Sequence, residues 1–125
     1  MLRLALTLAV TSFAAPLFAA PMDASAFEAY TKGKTLYFSE GREAYGAERY
    51  LPGRKVEWSF LDGVCKTGEW YPDKGAICFV YEDRPDPQCW HFETTGRGLR
   101  ATFIGSDQST ELYEAEQSDK PMYCI

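Results

Sequence analysis

VEWSFLDGVCKTGEWYPDKGAICFVYEDRPDPQCWHF, residues Val56–Phe92, holds three of the four cysteines and all three tryptophans of the chain. Runs of aromatic and β-branched side chains alternate in it with the turn-formers Asp-Gly, Pro-Asp-Lys-Gly and Asp-Arg-Pro-Asp-Pro, the composition of consecutive hairpins. Cross-strand partners in an antiparallel sheet face the same side, so the registers can be derived by requiring one continuous apolar face. Val56, Trp58 and Phe60 alternate with Glu57 and Ser59, which marks their side as the inner one. A two-residue turn at Asp62-Gly63 would pair Phe60 with Cys65 and send Trp70 to the opposite side. A three-residue loop Leu61-Asp62-Gly63, with Gly63 left-handed as in a bulged hairpin, pairs Phe60 with Val64, Trp58 with Lys66 and Val56 with Gly68. Trp70 then joins the tryptophan face, so this second register is preferred.

Carried onward, a loop Pro72–Gly75 pairs Trp70 with Ile77 and Gly68 with Phe79. A loop Glu82–Pro85 pairs Ile77 with Trp90 and Tyr81 with Asp86. The same register sets Cys78 opposite Cys89 on the outer side, together with Cys65 and His91. Directly opposed residues of a non-hydrogen-bonded pair lie close enough for a disulfide. Cys78–Cys89 is therefore expected, which leaves Cys65–Cys124 to pin the C-terminal tail. Four cysteines allow two other connectivities.

Outward from this stretch the period-two pattern continues. Strands are expected at about 35–39, 44–51, 54–61, 64–71, 76–82, 88–94, 99–105 and 110–116, with turn residues between them, Ser106–Ser109 among these. Seven to eight short strands at such spacing make an all-β antiparallel meander, closed as a barrel or strongly bent, with two disulfides. One short helix is expected over 23–32: Ser25 with Glu28 has the form of a capping box, Phe27 and Tyr30 share a face, and Gly33 can end it. A helix this short is stable only when docked. The tail turns apolar at Met122-Tyr123-Cys124-Ile125, which suits a tethered segment.

Before the helix, Arg3 followed by the apolar runs Leu4–Val10 and Phe13–Phe18 has the form of a secretory signal over residues 1–19. Cleavage is expected after Ala19, because a cut after Ala20 would place Pro21 directly behind it. The single domain is then 20–125, without a stable membrane anchor, located in the periplasm or secreted, where four cysteines form two disulfides. The chain carries 13 basic and 18 acidic residues and no basic cluster, which argues against nucleic acid as a partner. Cysteine spacings of 13, 11 and 35 with one histidine do not fit a zinc site, so neither metal nor cofactor is expected.

The string Gly68-x-Trp70, Ile77-Cys78-Phe79-x-Tyr81, Gln88-Cys89-Trp90 resembles small exported bacterial proteins of unknown function. In these a Gly-x-Trp strand leads into an aliphatic-Cys strand and then to a second cysteine. The resemblance covers about Arg54–Phe92 and implies an exported antiparallel β domain with the Cys78–Cys89 pairing; it carries no activity across.

No nucleophile motif surrounds the serines, His91 stands alone, and the carboxylates are spread over turns and strand faces, so no catalytic residue is nominated. The aromatics carry more information. Eight tyrosines, eight phenylalanines and three tryptophans are many for 125 residues. Tyr45, Trp58, Trp70, Tyr81 and Trp90 either fill a small barrel or line a pocket for a small apolar or aromatic ligand. If Pro52-Gly53 is a two-residue turn, Arg49 shares the inward face with Tyr45 and would need a carboxylate or a ligand anion. The expected role is a non-enzymatic, monomeric module binding a small ligand or an envelope protein. A hydrolase inhibitor inserting the loop Asp83–Pro87 is the alternative, and an enzyme the third reading.

Overall fold

The computed structural model describes residues 9–14, 20–105 and 110–125. The proposed signal segment, with its cleavage point, and the polar break Ser106–Ser109 therefore lie largely or wholly outside the described residues. One helix, α1 (Ala24–Thr31), precedes eight strands: β1 (Thr35–Glu40), β2 (Glu43–Leu51), β3 (Lys55–Ser59), β4 (Cys65–Asp73), β5 (Ala76–Tyr81), β6 (Arg84–Thr95), β7 (Gly98–Phe103) and β8 (Glu111–Ser118). Each strand pairs antiparallel with the next, and β8 returns to β1, so the sheet closes as a barrel. Closure removes the sheet edges that a meander of this length would otherwise expose. Among the described residues no helix is long and apolar enough to cross a membrane.

The β3–β4 register is the expected one: Val56 faces Gly68 and Trp58 faces Lys66, with Gly63 at φ 83° in the left-handed region. The next hairpin differs. Lys74 (φ 47°) and Gly75 (φ 79°) form a two-residue turn of the type that matches strand twist, instead of a four-residue loop. Trp70 consequently faces Phe79 and Gly68 faces Tyr81, two positions beyond the expected partners. A shift of two keeps every side chain on its own face, so the inner face survives the error.

The β5–β6 hairpin keeps Ile77 opposite Trp90 and Cys78 opposite Cys89. Tyr81, however, faces Arg84 across a tight Glu82-Asp83 turn, not Asp86, and the register shifts between Phe79 and Tyr81. The two prolines explain this: neither Pro85 nor Pro87 can donate to a ladder, so the surplus residues of β6 are taken up where they stand. The segment Arg84–Pro87, expected as a loop, thus belongs to β6 and is exposed.

One end of the barrel is shut by α1. Its N-cap is Asp23, whose Oδ1 accepts from the Ala26 amide at 2.7 Å, rather than the expected Ser25. Phe27 is fully buried, with its ring against Tyr50, Trp70, Phe79 and Phe92 at centroid distances of 4.6–6.4 Å. Tyr30 donates from its hydroxyl to Glu114 of β8 at 2.6 Å. Burial, with the Glu114 carboxylate adding to it, pushes the Tyr30 phenol up to about 12.

Both disulfides have the expected connectivity, Cys78–Cys89 and Cys65–Cys124. Such bonds are consistent with a location outside the cytoplasm. The Cys78 and Cys89 Cα atoms lie 4.0 Å apart, the close approach of a non-hydrogen-bonded pair. The tail is held at both ends: the Lys120 carbonyl accepts from Thr35 Oγ1 of β1, and the Ile125 amide donates to the Gly63 carbonyl beside β4. It therefore crosses the outer face of β2 and β3, where the small residues Ala47 and Ser59 are buried.

Candidate functional site

The inner face divides into two levels. At the α1 end, Phe27, Leu36, Val56, Trp70, Ile77 and Leu99 pack solidly. Toward the other end the packing gives way to a cavity of about 190 Å³, opening to solvent at the rim. An apolar cavity of about 150 Å³ takes one benzene ring, so there is room here for a ring with a short arm. Tyr45, Trp58 and Phe60 form its lip, edge to face or tilted, at centroid distances of 5.3–5.8 Å. Phe60 is 62% exposed, an unusual position for a phenylalanine and one it holds by leaning on the other two rings.

Two glycines seat these aromatics. A Cβ on Gly46 would lie 2.3 Å from the Trp58 indole, and a Cβ on Gly68 would lie 2.8 Å from the Tyr81 ring and 2.4 Å from the Val80 carbonyl oxygen. The large rings lie across strands that carry no side chain at those points, which brings Trp58 and Tyr81 inward instead of outward.

The polar centre of the cavity is Glu48. Its residue is 2% exposed and faces Trp58 across the β2–β3 ladder. Its Oε1 accepts from the Tyr81 hydroxyl at 2.8 Å; its Oε2 is buried and has no hydrogen-bond partner among the described residues. Glu114 of β8 makes the contrast: it accepts from Tyr30, from the Leu99 amide at 2.7 Å and from Gln117 at 2.6 Å. Buried polar groups are almost always satisfied, so a half-satisfied carboxylate at the floor of a cavity is a feature to be explained.

Glu48 occupies the place expected for Arg49, one residue away. The β2–β3 turn contains three residues, Pro52, Gly53 and Arg54, the last two left-handed at φ 71° and 60°. Leu51 thus faces Lys55 and Arg49 faces Glu57, where a two-residue turn would have set Arg49 against inward Val56. A one-residue slip exchanges the faces of the whole strand. Arg49 lies on the outside, paired with Glu57 at 3.4 Å. Tyr45 still lines the cavity because β2 carries an extra residue there: Phe38 faces Gly46 and Ser39 faces Ala44, which restores its side.

Of the other expected residues, Trp58, Tyr81 and Trp90 line the cavity with Tyr45. Trp70 does not. It is 3% exposed at the closed end, its ring between Phe27 and the guanidinium of Arg54, 4.6 Å from its centroid. His91 is outside the barrel, with Nδ1 3.3 Å from the Gly75 carbonyl. Among the described residues no group of His, Cys, Asp and Glu converges as metal ligands. Sequence reading missed Glu48; its one signal was that Tyr50 against Val56 and Arg49 against Glu57 make better cross-strand pairs than Arg49 against Val56.

Burial holds the Glu48 carboxyl well above its ordinary 4.5, the Tyr81 hydrogen bond opposing only in part. The titratable and charged groups toward it are Tyr45 and Tyr50 of β2, Lys66 of β4, Tyr81 of β5, Asp83 and Arg84 at the rim, and Glu114 of β8. Lys66 is itself paired with Asp83 at 3.6 Å. The folded chain keeps a proton on Glu48 that the unfolded chain releases above about pH 4.5. Stability is then full below that pH and declines as pH rises toward the folded-state value, by up to about 1.4 kcal/mol per pH unit. Glu48→Gln removes this slope while its amide oxygen keeps the Tyr81 hydrogen bond. Thermal melts from pH 4 to 8 should show the variant matching the parent at pH 4 and overtaking it by several degrees as pH rises, at about 4–8 °C per kcal/mol. A variant less stable across the whole range would mean that a group in the cavity compensates the charge.

Comparison of the chain with protein-family models, with curated proteins and with solved structures yields no match.

Proposed function

We propose that the chain is a binding module that holds one compact, ring-bearing molecule in its barrel, acting in the periplasm or after secretion and without catalysing a reaction on it. The reading is supported chiefly by one observation: an aromatic cavity open at the rim, with the unpartnered Glu48 Oε2 at its floor. Binding sites of this kind combine apolar walls with a few placed polar groups. A barrel built only for stability would fill that volume and satisfy that oxygen. The two disulfides and the apolar, Arg3-headed first residues support export.

The three tryptophans provide the test. Trp58 and Trp90 line the cavity and Trp70 does not, so titration with propylbenzene, followed by the indole N–H signals in NMR, is expected to shift two resonances and leave the third in place. Absence of any shift at millimolar probe, or a shift confined to Trp70, would overturn the assignment.

A further inference from the structure

We infer that the cavity selects a compact ammonium carried on an aromatic or short alkyl body, with the ammonium seated on Glu48 Oε2 among the surrounding aromatic rings. This rests on the binding reading above and adds the chemical class of the ligand.

Three observations carry it. Glu48 is buried and aimed into the cavity with one oxygen free, and its other oxygen is fixed by Tyr81, so the carboxyl plane is already oriented for a donor arriving at Oε2. An ammonium offers three N–H donors, and the unsatisfied atom needs a donor if the carboxyl is ionised. Secondly, the walls are π systems. Trp58 stands directly across the ladder from Glu48, and Phe79 and Tyr81 lie stacked beside each other, 6° from parallel. Aromatic faces attract cations and do little for anions. Thirdly, the phenols of Tyr50 and Tyr81 line the same cavity as Glu48, the Tyr81 hydroxyl within hydrogen-bond distance of its carboxylate, so phenol oxygens are at hand to accept from the remaining ammonium protons. The net charge of −5 draws cations toward the molecule as a whole.

The cations at the rim do not reverse this. Lys66 is held by Asp83 at 3.6 Å with both side chains partly exposed, whereas Glu48 is buried. A carboxylate ligand would be drawn to the rim and would place its charge against Glu48 if it descended. Burial raises the Glu48 carboxyl above its ordinary range, so seating a cation on Oε2 favours the ionised form that burial disfavours. Uptake of the ammonium should therefore strengthen as pH rises through the Glu48 ionisation.

Four probes sharing a phenethyl body decide the matter: phenethylamine and its isostere propylbenzene, with 3-phenylpropanamide and 3-phenylpropanoate, titrated by calorimetry into the intact, oxidised chain near pH 8. Phenethylamine is expected to bind at least tenfold more tightly than propylbenzene. In Glu48→Gln the preference for the amine over propylbenzene, both measured in the same variant, should fall from at least tenfold to none. An unchanged indole N–H resonance of Trp70, which lies at the closed end away from Glu48, shows that the variant is folded. Equal binding of amine and hydrocarbon by the parent would overturn the inference and leave the binding module standing. Tighter binding of the amide or the carboxylate would overturn it in favour of Glu48 as a donor or of the rim cations as the anchor. If no probe binds, the binding module itself falls.

Discussion

Phe27→Ala lowers the unfolding free energy by about 3–5 kcal/mol, the range for deleting a buried phenylalanine ring. Phe27 is the plug of the closed end, fully buried within reach of four aromatic rings supplied by β2, β4, β5 and β6. Without it α1 is held only by Thr31, the Tyr30–Glu114 hydrogen bond and the exposed Glu28–Arg54 pair, and an eight-residue helix is not stable on its own. The loss therefore includes the helix as well as the ring. Against a total stability of about 5–15 kcal/mol for a domain of this size, such a change moves a urea midpoint by a large fraction of its value. A loss below about 1 kcal/mol would show that α1 is not the closure of the barrel. The site should respond differently. Glu48, Trp58 and Trp90 are nearer the rim, so the variant gains a second opening at the α1 end, and propylbenzene should exchange faster without a change in which tryptophans it shifts.

The inner face of the barrel was legible because parity is robust. The turn at Lys74-Gly75 is two residues shorter than Pro-Asp-Lys-Gly suggested, yet Trp70, Phe79 and Tyr81 stayed inward, since an even error preserves the face. For the same reason the Cys78–Cys89 pairing could be derived from the Ile77–Trp90 register. Odd errors are the ones that matter, and the site sits on one. Whether Arg49 or Glu48 points inward depends on Arg54 adopting a left-handed φ of 60°, a conformation that an arginine side chain does not announce. The stacking of Arg54 on Trp70 and its pairing with Glu28 at 3.8 Å accompany that conformation, and both are contacts between distant parts of the chain. Tyr45 was placed correctly only because the β1–β2 bulge compensates for the same slip. Trp70 was placed on the right face but at the wrong depth. Period two assigns sides; the level along the barrel axis is set by where α1 docks.

Removing the tail tether has the other large effect. Cys65→Ala/Cys124→Ala opens a loop spanning 59 residues, and chain entropy alone assigns this bond about 4 kcal/mol, against about 3 kcal/mol for the Cys78–Cys89 hairpin bond spanning 11. The packed consequences widen the gap. Cys78 and Cys89 remain neighbours in a paired hairpin when unbonded, whereas the tail keeps only the Ile125–Gly63 and Lys120–Thr35 hydrogen bonds and the burial of Met122. Its release uncovers Ala47 and Ser59 on the outer face. Urea unfolding of the two double variants should thus rank the tether above the hairpin bond, and the reverse ranking would mean that the tail packs as well without its bond. Reduction of both bonds together removes about 7 kcal/mol by the same arithmetic, a substantial share of what a domain of this size has. A reducing compartment would leave little margin for folding, so the fold and an oxidising location are linked through these two bonds. Neither bond reaches the cavity: all four cysteines lie on the outer side, and Tyr45, Glu48, Trp58, Tyr81 and Trp90 on the inner. The folded fraction of the Cys65→Ala/Cys124→Ala variant should therefore still show the propylbenzene shifts at Trp58 and Trp90, which separates what holds the barrel together from what the barrel holds.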